Sequence, residues 1–166
     1  MPLDTERGYH IVIKHPEVTP RIPTTDATGK FIATPMEMGL RVAGTVEFAG
    51  LAAAPNWKRA HILYTQIQSL LPGLGPLGSE DRYTKWMGFR PSVPDSLPVI
   101  GFAHRTPDVV YAFGHGHLGM TGAPMTATIV SELLSGKKTS IDITPFAPGR
   151  FSGSEAHSYG VTAPFA

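Results

Sequence analysis

The sequence predicts an α+β fold: a mixed or largely antiparallel sheet with flanking helices, then a strand–glycine turn–helix unit near the C-terminus. Three observations predict it. Alternating, β-rich segments crowd the N-terminal part of the chain. Only two stretches carry helical spacing, 56–71 and about 122–134. Between them, 18 glycines and 16 prolines in 166 residues cut the chain into short pieces, as a turn-rich fold requires and a helical bundle does not.

Each element follows from its residues. Tyr9 to Lys14 (YHIVIK) is β-rich and roughly alternating. Pro16, Pro20 and Pro23 interrupt it, and Asp26-Ala27-Thr28-Gly29 has the composition of a turn. Lys30 to Met36 and Gly39 to Phe48 read as paired strands joined near Met38-Gly39. Gly44 inside the second strand marks a bulge or a close backbone approach. Asn56 is placed to cap the first helix, whose Ile62, Leu63, Ile67, Leu70 and Leu71 recur at helical spacing until Pro72-Gly73 stops it. Leu74 to Asp81 reads as a loop. Tyr83 to Gly101 is broken by Pro91, Pro94 and Pro98, so it cannot be one central strand. Val109 to Phe113 (VVYAF) reads as a buried strand. In the last helix Pro124 falls in the first turn, Met125, Ile129, Leu133 and Leu134 share a face, and Gly136 is the stop. The Gly/Ser/Ala-rich stretch 151–166 is expected to be a flexible tail.

The bulk numbers exclude several functions. A net charge of +1 removes the usual electrostatic case for a nucleic-acid partner. The absence of cysteine excludes disulfides, thiol catalysis and zinc–thiolate sites. No apolar run reaches the length of a membrane span, and Met1 to Arg7 lacks signal-peptide architecture. The expectation is a cytoplasmic protein, with a peripheral position at the inner face of the membrane as the alternative. With 42% hydrophobic and only 16% charged residues, part of the surface is expected to meet a partner.

The chemistry concentrates in Gly114-His115-Gly116-His117-Leu118-Gly119. A glycine turn between a strand and a helix gathers unpaired backbone N–H groups at the positive end of a helix dipole. Such a point stabilises negative charge, whether a phosphate or the anionic edge of a ring. Gly114-x-Gly116-x-x-Gly119 also matches the dinucleotide fingerprint, with Asp142 placed for a ribose. That Rossmann reading ranks second, because no further βα units follow Asp142. A metal site at His115 and His117 is disfavoured, since no Asp or Glu accompanies them in the turn.

Four ordered motifs carry a more specific signal. Trp86-Met-Gly88-Phe-Arg90-Pro91-Ser-Val-Pro94-Asp95, then Leu97-Pro98-Val-Ile-Gly101, resembles W-x-G-x-R-P-x-x-P-D-x-x-P-x-x-G. Gly114-His-Gly-His-Leu-Gly-Met120-Thr121 resembles G-H-G-x-x-G-x-T. With Glu6-Arg7-Gly8-Tyr9-His10 and Gly39 to Glu47, these resemble, in order, the D-amino-acid dehydrogenase branch of the FAD-dependent D-amino-acid oxidase superfamily. The resemblance runs from about Leu3 to Phe151.

It implies the substrate-binding, C-terminal half of a flavin enzyme that oxidises an amino acid to an imino acid, which hydrolyses to a 2-oxo acid. FAD would be the hydride acceptor. The family's opening strand–GxGxxG–helix unit, which holds the ADP part of FAD, has no counterpart before Gly8. The chain alone is therefore expected to be inactive and colourless, and to self-associate or to need an FAD-binding half as partner. Implied domains are a substrate-binding sheet with one helix over 1–107, a strand–turn–helix belonging to the FAD domain over 108–150, and the tail. Arg90 is implied as carboxylate clamp and catalytic residue, with His117 as a second catalytic candidate. Tyr9, His10 and Arg90 would bind substrate. Gly88, Arg90, Gly114, His115, Gly116, His117, Leu118, Gly119, Met120 and Thr121 would meet the flavin. Arg41 with Glu47 reads as a surface charge pair, Met36 and Met38 as candidates to flank a hydrophobic pocket, and Trp86 as core. A non-catalytic binding or assembly module is the rival from another class.

Overall fold

A computed structural model describes residues 1–75 and 80–151. The predicted tail at 151–166 therefore falls, apart from Phe151, outside the described residues. The chain divides into two compact units, Glu6–Phe89 and Met1–Thr5 with the chain from Arg90 onward. We call them the sheet unit and the hairpin unit.

The sheet unit is built on a five-stranded sheet. Its strands are β1 Asp4–Ile13, β2 Thr24–Asp26, β3 Phe31–Met36, β4 Gly39–Glu47 and β5 Tyr83–Ser92, in the order β2-β3-β4-β1-β5. β1 pairs antiparallel with β4, β3 with β4 and β2 with β3. The turn before β3 is made by Asp26, whose Oδ1 accepts from the N–H groups of Thr28 and Gly29 at 2.9 and 2.8 Å. β1 begins five residues earlier than the alternating Tyr9–Lys14 segment, because charged Asp4, Glu6 and Arg7 hide its start.

Gly44 is both things its position predicted. The register passes from Tyr9–Thr45 to His10–Ala43, leaving Gly44 as the extra residue of a bulge. A Cβ there would stand 2.5 Å from the Lys30 carbonyl oxygen and 2.6 Å from Phe31 Cα. The bulge reverses the parity of the strand, so Arg41 and Glu47 do not form the expected pair.

Helix α1, Lys58–Leu70, covers one face of this sheet. Ala60, Leu63 and Ile67 join Ile11, Ile13, Phe31, Ala33, Leu40 and Val42 in one buried cluster. Full burial of each large aliphatic is worth about 1.5–3 kcal/mol. Of the predicted apolar stripe, Ile62 is exposed, while Leu70 and Leu71 pack at the margin. Trp57 takes the N-cap position, and Asn56 reaches only the Lys58 N–H, at 3.3 Å. β5 is longer than the expected fragments. It lies at the sheet edge, where Pro91 in its last turn of sequence removes no required ladder bond.

The hairpin unit holds β6 Val99–Ala103 and β7 Thr106–Phe113, paired antiparallel as a two-stranded sheet. Helix α2, Gly119–Leu134, follows. Two expectations are corrected here. β7 is largely exposed rather than buried, and on α2 only Ile129 is buried, with Met125 and Leu134 open to solvent. Apolar composition showed that these faces seek cover, not that this chain provides it. The helix also starts three residues early, so Pro124 is its sixth residue rather than a first-turn residue. There it removes the bond to the Met120 carbonyl, which solvent can satisfy because Met120 is 95% exposed. The far end is conventional: Gly136 at φ +64°, with Gly136 N–H to Leu133 and Lys137 N–H to Glu132, closes a Schellman motif.

Candidate functional site

Arg90 belongs to the hairpin unit. Its Nη1 is buried and meets no hydrogen-bond acceptor among the described residues. A buried, unpaired guanidinium nitrogen is costly, so such a group signals a missing acceptor. A planar fork of this kind suits a carboxylate.

The glycine turn lies in the same unit. Gly114 has φ +78° and Gly116 φ +50°, conformations that L side chains rarely adopt. A Cβ on Gly116 would meet nothing within 4 Å, so the backbone there is bare toward open space. A single 3₁₀ turn, Gly116–Leu118, leads directly into α2. No side chain caps the helix, and no acidic residue sits in its first turn. The first N–H groups are thus left for another acceptor, at the positive end of the dipole.

The two histidines differ. His115 Nε2 lies 2.9 Å from Thr126 Oγ1, and its ring runs along the glycine face of α2, near where Cβ atoms of Gly119 and Gly122 would be. His115 therefore pins the turn to the helix. His117 and Leu118 are exposed, as are Met120 and Thr121. Asp142, the ribose candidate of the Rossmann reading, instead accepts from Thr144 N–H at 2.9 Å. The Thr144 side chain, and then its N–H, hold the Asp142 carboxyl below the usual range. β7, the strand before the glycine turn, pairs antiparallel with β6 in a two-stranded sheet, not in the parallel sheet that a Rossmann unit requires.

Tyr9 and His10 lie in the sheet unit. Tyr9 is buried, donates its hydroxyl to Glu47 Oε2 at 2.5 Å and accepts from Asn56 N–H at 2.9 Å. Burial, then the Glu47 carboxylate, pushes its pKa above the ordinary phenol value. Its polar atom is used internally, so it fixes the loop after β4. His10 is partly exposed on the sheet face opposite α1, stacked on Trp86 with ring centroids 4.7 Å apart. Arg41 Nη2 lies 3.5 Å from His10 Nδ1. Trp86 is 50% exposed, not core. A Cβ on Gly88 would fall 2.0 Å from Trp86 Cη2, so the Trp-x-Gly of the motif is a packing pair with the indole laid over the glycine. Met36 and Met38 are exposed beside a shallow concavity bounded by His15, Pro16 and Thr19.

Sequence reading missed the strongest polar feature of this unit. Arg7 is fully buried, donates to the carbonyls of Gly50, Ala49 and Ala54 at 2.8, 3.2 and 3.3 Å, and lies 3.7 Å from Glu47. Its guanidinium also sits 5.5 Å from the Phe89 ring. Glu47 is shared with Arg59, at 3.7 Å. An arginine at the start of a charged segment carries no pattern that distinguishes it from a surface residue.

The hairpin unit thus contains a bare glycine turn at a helix N-terminus and an arginine whose buried Nη1 meets no acceptor among the described residues. Comparison with known proteins gives the chain a family. A family model described as FAD dependent oxidoreductase (DAO) matches residues 1–133, and the chain belongs to that family. It is 50% identical over 151 residues to a D-amino-acid oxidase of Bradyrhizobium diazoefficiens, covering 91% of this chain and 36% of that protein. It is 32% identical over 154 residues to a D-amino acid dehydrogenase of Methylobacterium radiotolerans, covering 92% and 36%. The chain thus spans 36% of the length of these curated relatives. Among solved structures it is similar in fold to glycine oxidase from Geobacillus kaustophilus, with TM-score 0.76, 21% identity, and coverage of 90% of this chain and 40% of that one. It is also similar to L-proline dehydrogenase from P. horikoshii, with TM-score 0.71, 18% identity, and coverage of 91% and 41%.

The residues present fit one edge of the family's cofactor. The open backbone at Gly116, the uncapped helix start and the unpaired Arg90 Nη1 all offer donors to negative charge. Among the described residues no helix is long and apolar enough to cross a membrane.

Proposed function

We propose that this chain forms the substrate-binding and flavin-edge part of an FAD-dependent D-amino-acid oxidase or dehydrogenase. The observation that carries the reading is the 50% identity to the Bradyrhizobium diazoefficiens D-amino-acid oxidase across 91% of the chain. When bound, FAD supplies the two-electron acceptor for the hydride leaving the amino-acid Cα. Everything else is work for the protein.

Arg90 takes the substrate α-carboxylate in a bidentate fork and so orients Cα–H. Amides of the Gly114 to Thr121 turn hold negative charge at the ring edge, Leu118 N–H excepted because it donates to the His115 carbonyl, with the helix dipole behind them. Gly114 and Gly116 let that backbone come close because no Cβ intervenes. His115 sets the turn against α2, and His117, exposed on the same turn, is the second catalytic candidate. Within the sheet unit His10 is braced by Trp86, with Tyr9 and Glu47 steadying the strand that carries it, and His10 and Tyr9 are the substrate-contact candidates of that unit. Gly88 serves that brace by admitting the Trp86 indole. The ADP portion of the cofactor is held by polypeptide corresponding to the part of the relatives that this chain does not match. The chain alone then retains no FAD.

The test is reconstitution. The chain is co-expressed with the segment of the Bradyrhizobium diazoefficiens relative that it does not match, and the complex is assayed for amino-acid-dependent dye reduction. The expected result is a yellow complex that oxidises D- but not L-amino acids, and a colourless chain when expressed alone. A yellow complex that oxidises neither enantiomer, or a chain that binds FAD stoichiometrically by itself, overturns the reading.

A further inference from the structure

We propose that Asp95 and Arg150 form a positioning pair that sets the height and angle of the flavin-edge turn. The inference rests on the function proposed above for what the turn receives, but the pair itself is read from the hairpin unit alone.

Arg150 gathers an unusual number of partners. Its Nε and Nη2 fork onto Asp95 at 2.7 and 3.0 Å. Nη2 also donates to the Leu97 carbonyl at 2.6 Å. Nη1 donates to the carbonyls of Phe146 and Ala147 at 3.1 and 3.3 Å, and the guanidinium lies 4.4 Å from the Phe151 ring. One side chain thus ties the segment after β6, β7 and α2 to the loop between β5 and β6. Both partners are mostly shielded from water, which strengthens a bidentate pair.

The loop so tied is strained. Ser96, a non-glycine residue, sits at φ +58°, closed by its N–H to the Val93 carbonyl at 2.9 Å. Asp95 Oδ1 accepts from Leu97 N–H at 3.1 Å. Left-handed backbone at such a residue persists only when its surroundings over-determine it.

The two ends of that loop form the floor under the turn. A Cβ on Gly114 would lie 3.4 Å from Val93 Cγ1 and 3.9 Å from Val99 N. Val93 and Val99 are both buried. Pro148, two residues before Arg150, packs where a Cβ of Gly101 on β6 would be, at 3.0 Å. A shift of the 94–98 loop therefore passes directly to Gly114, the first glycine of the turn. Arg150 lies beyond residue 133, where the family match ends, so the match assigns it nothing.

The test compares Arg150→Lys, which keeps the charge but loses the fork, and Asp95→Asn, which is isosteric, with Glu132→Gln. The last removes the charge of a carboxylate that accepts from Ser140 in the same unit, away from the turn. In amide NMR spectra of the full chain, the first two variants should displace the Val93, Gly114, His115 and Gly116 signals, and Glu132→Gln should not. In the reconstituted flavoenzyme, kcat/KM for a D-amino acid should fall roughly ten- to hundred-fold for the same two, as expected for sub-ångström to ångström misplacement. Unmoved turn amides in both clamp variants, or an equal effect of Glu132→Gln, would overturn the proposal. Displaced amides in a reconstituted complex that oxidises no amino acid would leave the clamp standing and remove the functional reading instead.

Discussion

The two units use their apolar residues in opposite ways. Among the described residues the sheet unit buries fourteen hydrophobic side chains and the hairpin unit five. In the first, helix and sheet close on each other, and even a guanidinium, Arg7, is enclosed with its acceptors supplied. In the second, Leu118, Met120, Met125 and Leu134 remain exposed. The difference is one of apolar burial: the sheet unit closes a core of its own, and the hairpin unit leaves most of β7 and α2 exposed.

The largest expected effect is on the scaffold side. Arg7→Ala would leave Glu47 and three carbonyls short of their donor and should destabilise the chain by about 3–5 kcal/mol, read as a fall in the urea midpoint. A midpoint within experimental scatter of wild type would mean that the sheet unit is not organised around Arg7. Next, Leu63→Ala in the closed core should cost about 2–5 kcal/mol. The matched change on the open side, Met120→Ser, should move stability by less than about 0.5 kcal/mol while reducing self-association in sedimentation. Equal stability losses for the two would erase the contrast. Between these two, Gly44→Ala forces a Cβ against backbone and should cost about 1–3 kcal/mol.

The acid limb of stability is expected to be subtler. Arg150 holds the Asp95 carboxyl below its ordinary range. A carboxylate with a depressed folded-state pKa stabilises fully above the unfolded value and loses that contribution as pH falls through the folded one. Thermal melts should therefore weaken below the usual carboxylate range, and Asp95→Asn should flatten that limb. Tyr9 works in the other direction. Its raised pKa means a contribution present below the unfolded phenol value and lost as alkaline pH rises through the folded one.

Much of this was legible in the residues. Gly44, the β3–β4 hairpin and the α1 core stripe follow from local pattern, because each records one steric or packing demand. The motif Trp86 to Gly101 identified the family, although its chemistry is mixed: Gly88 answers Trp86, and Asp95 answers Arg150, fifty-five residues away. Pairings at that separation leave no local trace, which is why Arg7 and Arg150 were passed over. The exposure of β7, Trp86 and the outer face of α2 was misread for a related reason. Hydrophobicity reports a need for cover, and says nothing of which polypeptide meets it.

Arg90 tests the central claim most directly. In the reconstituted enzyme, Arg90→Ala should raise KM for a D-amino acid by roughly ten- to hundred-fold, the equivalent of losing a charge-assisted hydrogen bond worth about 1.5–3 kcal/mol. Arg90→Lys should recover part of that loss. An unchanged kcat/KM in Arg90→Ala would contradict the account, because the unpaired nitrogen would then have some other purpose than holding the substrate carboxylate.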